Sequence, residues 1–461
     1  MVAAPNQALV QFACHPDRAA ERERRPVGRR AEEHAERPVE VRHRPDVSLA
    51  DVHENGKDAT RPRLLVLNQY YWPGVEATAH LLSELCEALA EDYDVTVVTG
   101  RLRGRPELPA REEHNGVRII RVDSTAFDRA QLAQRGLNYV TYLVQALRVG
   151  VGLPRHDIVL SGTDPPVVGD IALAVARRHR ARLVVVSEDV FPEIAVALHR
   201  LKPGPLVGLL RALVGLYLRH ADAVVAIGET MRKRIEQKGA RTDRITVIPN
   251  WTDVRQLETR GQTNDWARAH DLEGRFVVMH SGNVGHAQDL DSLIRAATLL
   301  RDLDDLRIVI IGTGARHAEL VELSRVLETD HVQFLEFQPR ELLPQTLAAA
   351  DVHVVGLARG LAGFIVPSRL YGILAAGRPV LAAAEDESET AQIVREAGCG
   401  AVVAPGDPRR LAEAIRACHD GLYDLEAMGR RAREYAEREA DRSIAIGRYR
   451  RLLEDVGARA R

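Results

Sequence analysis

Residues 63–98 read RLLVLNQYYWPGVEATAHLLSELCEALAEDYDVTVV, and this stretch sets the architecture. Leu64-Leu65-Val66-Leu67 is a continuous apolar run of strand length, as expected for a strand buried on both faces. Asn68 to Gly74 then contains Pro73 and Gly74, residues that punctuate turns. Over 77–90 the spacing of Leu81, Leu82, Leu85, Ala88 and Leu89 is helical, and Val95-Thr96-Val97-Val98 is the next apolar run. Strand, loop, helix, strand describes a parallel sheet covered by helices. Working outward, the pattern predicts further strands at 117–122, 158–160, 183–186, 224–227 and 245–248, separated by helices such as 171–181 and 205–220. After a polar stretch at 258–271 it starts again, with strands at 276–280, 308–311, 332–334, 353–355, 379–382 and 401–403 and helices including 290–300 and 411–418. The expected fold is therefore α/β, with two Rossmann-like, doubly wound parallel-sheet domains whose loops face one interdomain cleft. The boundaries predicted are 1–61 for a charged, disordered head, 62–255 and 256–430 for the domains, and 431–461 for C-terminal helices that cross back to the first domain.

Composition narrows the classes. The 461 residues carry 63 Lys plus Arg against 65 Asp plus Glu, a net charge of −2, which argues against a nucleic-acid binder. Hydrophobic residues at 45% and charged residues at 28% are ordinary for a globular chain, so only the stretch 18–44, dense in Arg, Glu, His and Pro, reads as unable to build a core. Cys14, Cys86, Cys399 and Cys418 are too widely spaced for a disulfide framework or a zinc site, which fits a reducing cytoplasm. No run of 18 apolar residues predicts a membrane span. The 17 histidines include no H-x-x-x-H or H-E-x-x-H pair, so no metal site is expected, and His280 and His353 read as core or cleft histidines.

The first loop has one glycine where a dinucleotide fingerprint needs G-x-G-x-x-G. Gly312-Thr313-Gly314 lies between strand and helix, but His317 stands where the third glycine belongs. Two such glycines let backbone N–H groups approach an anion, and they equally suit a tight turn without a ligand.

Gly282-Asn283-Val284-Gly285, Ala350-Asp351-Val352-His353-Val354 and the run Pro367-Ser368-Arg369-Leu370-Tyr371-Gly372, continuing to Gly377-Arg378-Pro379-Val380, resemble the donor-binding half of family 4 glycosyltransferases. Pro73-Gly74, Asp189-Val190-Phe191-Pro192-Glu193 and Val247-Ile248-Pro249-Asn250-Trp251 are similar to the other half of its bacterial surface-polysaccharide branch, near the N-acetyl-fucosamine transferases. The resemblance, over about 63–455, implies the GT-B fold with a nucleoside diphosphate sugar on the second domain and an acceptor on the first. It implies retaining transfer of a hexosyl or N-acetylhexosaminyl group to a glycan or polyprenyl-diphosphate-linked sugar, without a protein nucleophile or a cofactor other than the sugar nucleotide as co-substrate. A nucleotide-sugar epimerase and a catalytically silent scaffold of a polysaccharide assembly complex are the alternatives.

A leaving diphosphate needs cations or backbone amides where its charge develops. The residues expected to supply these, or to shape the donor site, are Gly282, Asn283, Gly312, Gly314, Pro367, Ser368, Arg369 and Tyr371, with Arg369 as the phosphate-binding cation and Ser368 as either a phosphate donor or a helix cap. Asp189 and Glu193, four residues apart after a strand, are expected to serve as general base and acceptor ligands, or else to form a polar helix start. Gly74 and Glu76 are expected on the acceptor side. The family's Glu-x7-Glu pair maps onto Phe364 and Gly372, and its basic pair onto Asn283 and Gln288, so those roles do not transfer. The run 205–218 is apolar except for Arg211 and suits either a peripheral helix at the inner face of the cell membrane or a buried one. The run 137–147, between Arg135 and Arg148, poses the same choice.

Overall fold

In the computed structural model, residues 61–74, 76–102, 105, 107–123, 132–257 and 261–458 are described. The charged head expected to be disordered over 1–61 lies, apart from Arg61, outside the described residues. The chain runs β1 (Arg63–Leu67), α1 (Ala77–Leu89), β2 (Asp94–Gly100), β3 (Arg111–His114), β4 (Val117–Val122), α2 (Leu132–Gly152), β5 (Ile158–Ser161), α3 (Val168–His179), β6 (Arg182–Ser187), α4 (Glu193–Ala197), α5 (Pro205–His220), β7 (Ala223–Ala226), α6 (Glu229–Gln237) and β8 (Ile245–Val247). It continues through α7 (Asp265–Ala269), β9 (Phe276–Ser281), α8 (Leu290–Ala297), β10 (Leu306–Ile311), α9 (His317–Val326), β11 (Val332–Leu335), α10 (Leu343–Ala348) and β12 (Val352–Gly356). The last elements are α11 (Arg369–Ala375), β13 (Val380–Ala383), α12 (Glu389–Ala397), β14 (Gly400–Val403), α13 (Pro408–His419), α14 (Leu425–Glu439) and α15 (Arg442–Ala458).

Two sheets result, ordered β3-β4-β2-β1-β5-β6-β7-β8 and β11-β10-β9-β12-β13-β14. Their inner strands are buried along their length, with Leu64 to Leu67 and Ile308 to Ile311 at most 2% exposed, as apolar runs covered on both faces should be. One departure from a wholly parallel first sheet is β3, which pairs antiparallel with β4 at the edge. Its sequence, REEH, has no apolar run to announce a strand, and it alternates exposed and half-buried residues. In each sheet the chain order reverses beside one strand, β1 between β2 and β5, and β9 between β10 and β12. A doubly wound sheet opens its ligand crevice at such a reversal. Asn68 leaves β1 at the first of these points and Gly282 leaves β9 at the second.

The C-terminal helices separate. The boundary expected at 430/431 falls inside α14, which stays with the second sheet and packs on α11, placing Ala432, Tyr435 and Ala436 in a core with Leu370 and Leu374. The helix that crosses is α15, whose Ala445, Ile446, Tyr449, Leu453 and Val456 enter the first sheet's core beside Leu64, Val66 and Trp251.

Candidate functional site

The second sheet's crevice is built from two glycine turns laid against each other. The Gly282 N–H donates to the Ile311 carbonyl at 2.9 Å and the Val284 N–H to that of Thr313 at 2.9 Å, stitching the turn after β9 to the turn after β10. Gly312 has φ +126°, and a Cβ there would fall 2.0 Å from the Gly282 carbonyl oxygen, so no side chain fits. A Cβ on Gly314 would lie 2.3 Å from the Val284 oxygen and 2.7 Å from Asn283 Oδ1. The exposed Asn283 side chain thus occupies the concavity that these glycines leave.

Arg369, the first residue of α11, extends over Gly282, whose own Cβ would sit 3.3 Å from its guanidinium. Its Nη1 donates to His280 Nε2 at 2.7 Å, and no carboxylate lies within ion-pairing distance among the described residues. Burial lowers the guanidinium to about 10. The His280 ring, on β9 and fully buried, is held well below the usual imidazole value by burial and then by the Arg369 charge, so it stays neutral and leaves that charge uncompensated. Pro367 and Ser368 lead into the same turn, Pro367 buried and Ser368 at the N-cap without a side-chain hydrogen bond to the helix, so its hydroxyl does not serve as the cap. Tyr371 corrects the sequence reading. Its ring is 1% exposed in the core with Leu347, Leu370 and Leu374, where a donor cannot touch it.

Across from these, the C-terminal edge of the first sheet presents Asn68, Asp164, Glu188, Asp189 and Asn250. Asn68 fills its reversal point by accepting the Asp164 N–H at 3.3 Å on Oδ1 and donating to the Tyr70 carbonyl at 2.8 Å. Asp189 lies where the halves touch: it bridges Ile365, and the next N–H, of Val190, donates to the Phe364 carbonyl at 2.9 Å. Ile365 is four residues ahead of Arg369, so the bridge sets the aspartate beside the segment that leads into the Arg369 turn. Glu193 does not join it. Its Oε1 takes Arg211 Nε at 3.0 Å and its Oε2 takes Lys238 Nζ at 2.7 Å, on α5 and just beyond α6. Burial acts to raise this carboxyl, but its two cationic partners lower it overall, so it is a poor proton acceptor. Gly74 closes a tight turn on the Tyr71 carbonyl at 2.8 Å, and a Cβ there would meet Glu76 Oε2, which places both residues at the start of α1.

Sequence reasoning missed Glu188. It follows β6 directly, accepts Asn250 Nδ2 at 3.0 Å, and is pushed up to about 7, first by burial and further by Asp164. Its signal was the asparagine after β8, 62 residues and two strands further along the chain but close by at the sheet edge.

Two α/β sheets with facing crevices, one carrying a glycine cradle under a half-buried arginine, define the GT-B class of nucleotide-sugar enzymes. Family models agree: residues 74–251 match a glycosyl transferase 4-like domain and residues 262–435 match glycosyl transferases group 1. The chain belongs to this glycosyltransferase family. WcaI of Escherichia coli K12, named for colanic acid biosynthesis as a glycosyl transferase, is 29% identical over 55% of this chain and 62% of its own length, so the match spans less than two thirds of that relative. WbjE of Pseudomonas aeruginosa, named as a glycosyltransferase, is 27% identical over 70% of this chain and 80% of its own. HepE of Anabaena, solved in complex with UDP, superposes with a TM-score of 0.67 at 15% identity, covering 85% of this chain and all of that one. Sucrose-phosphate synthase from Thermosynechococcus elongatus gives a TM-score of 0.72 at 15% identity over 86% of this chain and all of that one. These two likenesses concern the fold.

Proposed function

We propose that the chain transfers a hexosyl or N-acetylhexosaminyl group, with retention, from a nucleoside diphosphate sugar to a glycan or polyprenyl-diphosphate-linked sugar in surface-polysaccharide synthesis. The observation that carries this reading is Arg369, a half-buried cation with no carboxylate partner among the described residues, a neutral imidazole against it and two glycine turns beneath it. A buried charge without a counter-ion is costly, and a diphosphate laid on the cradle supplies one. As the bond from the anomeric carbon to the β-phosphate oxygen breaks, Arg369 and the backbone N–H groups meet the developing charge. The acceptor oxygen bonds to the anomeric carbon on the same face, and its proton passes to the leaving phosphate, which needs no protein nucleophile. Asp189 is the residue placed to orient the acceptor hydroxyl. The relatives' names, and the UDP and UDP-glucose held by HepE, support the donor class and the setting.

A peripheral position at the membrane's inner face is supported by α2, α3 and α5, which pack side by side. Their sequences carry six arginines against one aspartate. Leu137, Val140 and Val144 on α2, and Leu206, Leu209 and Leu216 on α5, stand exposed at spacings of three, four and seven residues, the pattern of a helix face on an anionic bilayer.

A thermal-shift panel of UDP-, GDP- and dTDP-sugars tests the donor reading, because a ligand that binds the native state raises its melting temperature. One class should stabilise the chain, and Arg369→Ala should weaken that class about 30- to 100-fold, the scale of a lost charge-assisted contact. No stabilisation by any of them would sink the proposal. Nucleoside diphosphate should appear only when acceptor is added; an epimerase would convert the donor without it.

A further inference from the structure

Beside the cleft, a cavity of about 460 Å³ is lined by Val190, Glu193, Arg211, Arg234, Lys238 and Phe364, together with Ala212 and Gln237. Three cations meet there with one carboxylate. Glu193 pairs with both Arg211 and Lys238. Arg234 pairs with no carboxylate among the described residues; it lies over the Phe364 ring, 4.8 Å from its centre, and donates at 3.4 Å to the Ala362 carbonyl. Lys238 is 10% exposed, so the excess positive charge is carried partly by buried groups and calls for an anion. Glu193 fixes Lys238 and Arg211 with one oxygen each and so orders the cations, a positioning role in place of the catalytic one expected from sequence.

The walls say what kind of anion. Val190, Ala212 and Phe364 are apolar, and Arg211 stands on α5 between Leu209 and Leu213, on the same helix as the exposed Leu206, Leu209 and Leu216. A ligand filling this cavity therefore presents phosphate to the cations and a hydrocarbon to the α5 face. Val190 also follows Asp189 directly, so a sugar carried on that phosphate begins at the sheet edge where Glu188 and Asp189 stand.

We propose that this cavity is the subsite for the diphosphate of a prenyl-diphosphate-linked acceptor, with the prenyl chain leaving along α5. The assignment rests on the glycosyltransferase reading and adds to it the place where the acceptor's anionic linker is held. It also accounts for the contact of Arg234 with the second half: Arg211 and Lys238 are held by Glu193, whereas Arg234 is held against Phe364, the residue whose carbonyl accepts the Val190 N–H.

Farnesyl diphosphate and inorganic pyrophosphate, titrated calorimetrically into the full chain, test this. Wild type should bind farnesyl diphosphate, and Arg369→Ala should retain that binding within about threefold while losing the nucleotide sugar. Arg234→Gln, which leaves the Glu193 pairs intact, and Arg234→Gln with Lys238→Gln should each weaken it about tenfold or more, as expected for lost charge-assisted contacts. Melting curves identify a variant that fails to fold, and the single variant then decides. Leu209→Ser should weaken farnesyl diphosphate and leave pyrophosphate unchanged. The proposal is overturned if wild type does not bind farnesyl diphosphate, if Arg369→Ala abolishes binding that the Arg234 variants keep, or if pyrophosphate binds as tightly as the prenyl compound, which would make the site one for free phosphate. A failure of the nucleotide-sugar panel would strike the donor reading and would leave these titrations standing.

Discussion

Glu188 and Asp170 are the residues at which chemistry and stability oppose each other most directly. Glu188 is pushed up to about 7 from an ordinary 4.5, and Asp170 on α3, both of whose carboxylate oxygens are buried without a hydrogen-bond partner, rises to about 7 from 3.8, each through burial. A folded-state value above the unfolded one means that the native chain holds protons the unfolded chain has released. Their contribution is thus complete below about pH 4 and is lost as pH rises through 7. The melting temperature should fall between pH 5 and pH 8, and Glu188→Gln or Asp170→Asn should each flatten that slope by on the order of 2 kcal/mol. An unchanged slope in both variants would show that these carboxyls titrate normally. That Arg369 and Gly282 would come together was legible beforehand, because each stands in a run of motif residues; the donor-binding role remains the proposal made above. The difference between Glu188, Asp189 and Glu193 was not. Three carboxylates within six residues look alike in sequence, and only partners far along the chain sort them: Asn250 for the first, Ile365 for the second, Arg211 and Lys238 for the third.

Among the elements, the paired turns after β9 and β10 form the glycine cradle proposed for the donor, and their fit is a backbone matter. Gly312→Ala would place a methyl 2.0 Å from the Gly282 oxygen at a φ of +126°, so it should cost about 2–4 kcal/mol in denaturant unfolding and weaken nucleotide-sugar binding along with it. Gly421→Ala, also at positive φ but with open space around its Cβ, serves as the comparison and should leave that binding intact. On α5 the sequence favoured a buried helix and kept a peripheral one as the alternative, and the element turns out to be two-faced. Val207, Val214, Tyr217 and Leu218 pack inward while Leu206 and Leu209, 59% and 57% exposed, point out. Nearly continuous hydrophobicity hides such a division, because helical period cannot be read where almost every position is apolar. Leu206→Ser with Leu209→Ser should lower binding to vesicles containing anionic lipid at least fivefold, an effect of losing apolar insertion area, and leave the melting temperature within a few degrees. Equal vesicle binding by this variant would move the membrane contact elsewhere. The inner strands were legible for the opposite reason, since short apolar runs between turn residues have few other uses, whereas the polar β3 could be recognised only beside β4.

For the whole molecule, the question is how two sheets with separate cores act as one body. Glu84 on α1 accepts Trp251 Nε1 at 2.9 Å and Arg340 of the second half at 3.2 Å, with His80 Nε2 at 2.7 Å. Thr230 Oγ1 donates to the Glu387 carbonyl at 2.7 Å, and Thr252 pairs with Asp441 where the chain returns. The covalent and packing tie is α15. The first sheet's core is finished by Tyr449, fully buried and edge-on to Trp251 with centres 5.9 Å apart, and by Leu453, while the second sheet's clusters contain nothing from that helix. A cavity opened at Tyr449 should therefore fall on one half. Tyr449→Ala removes a large buried ring and should destabilise the first sheet by about 3–5 kcal/mol, leaving the second nearly untouched. The three tryptophans report this separately: Trp72 and Trp251 lie against the first core and Trp266 within the second half's. With Trp72 and Trp251 replaced by phenylalanine, the Trp266 emission of the Tyr449→Ala chain should change at a denaturant concentration close to that of the otherwise wild-type chain. The far-ultraviolet circular dichroism should meanwhile split into two steps. A single coincident transition shifted in both signals would mean that the Glu84 and Thr230 contacts bind the sheets into one cooperative unit, and that α15 closes the cleft as firmly as it completes the core.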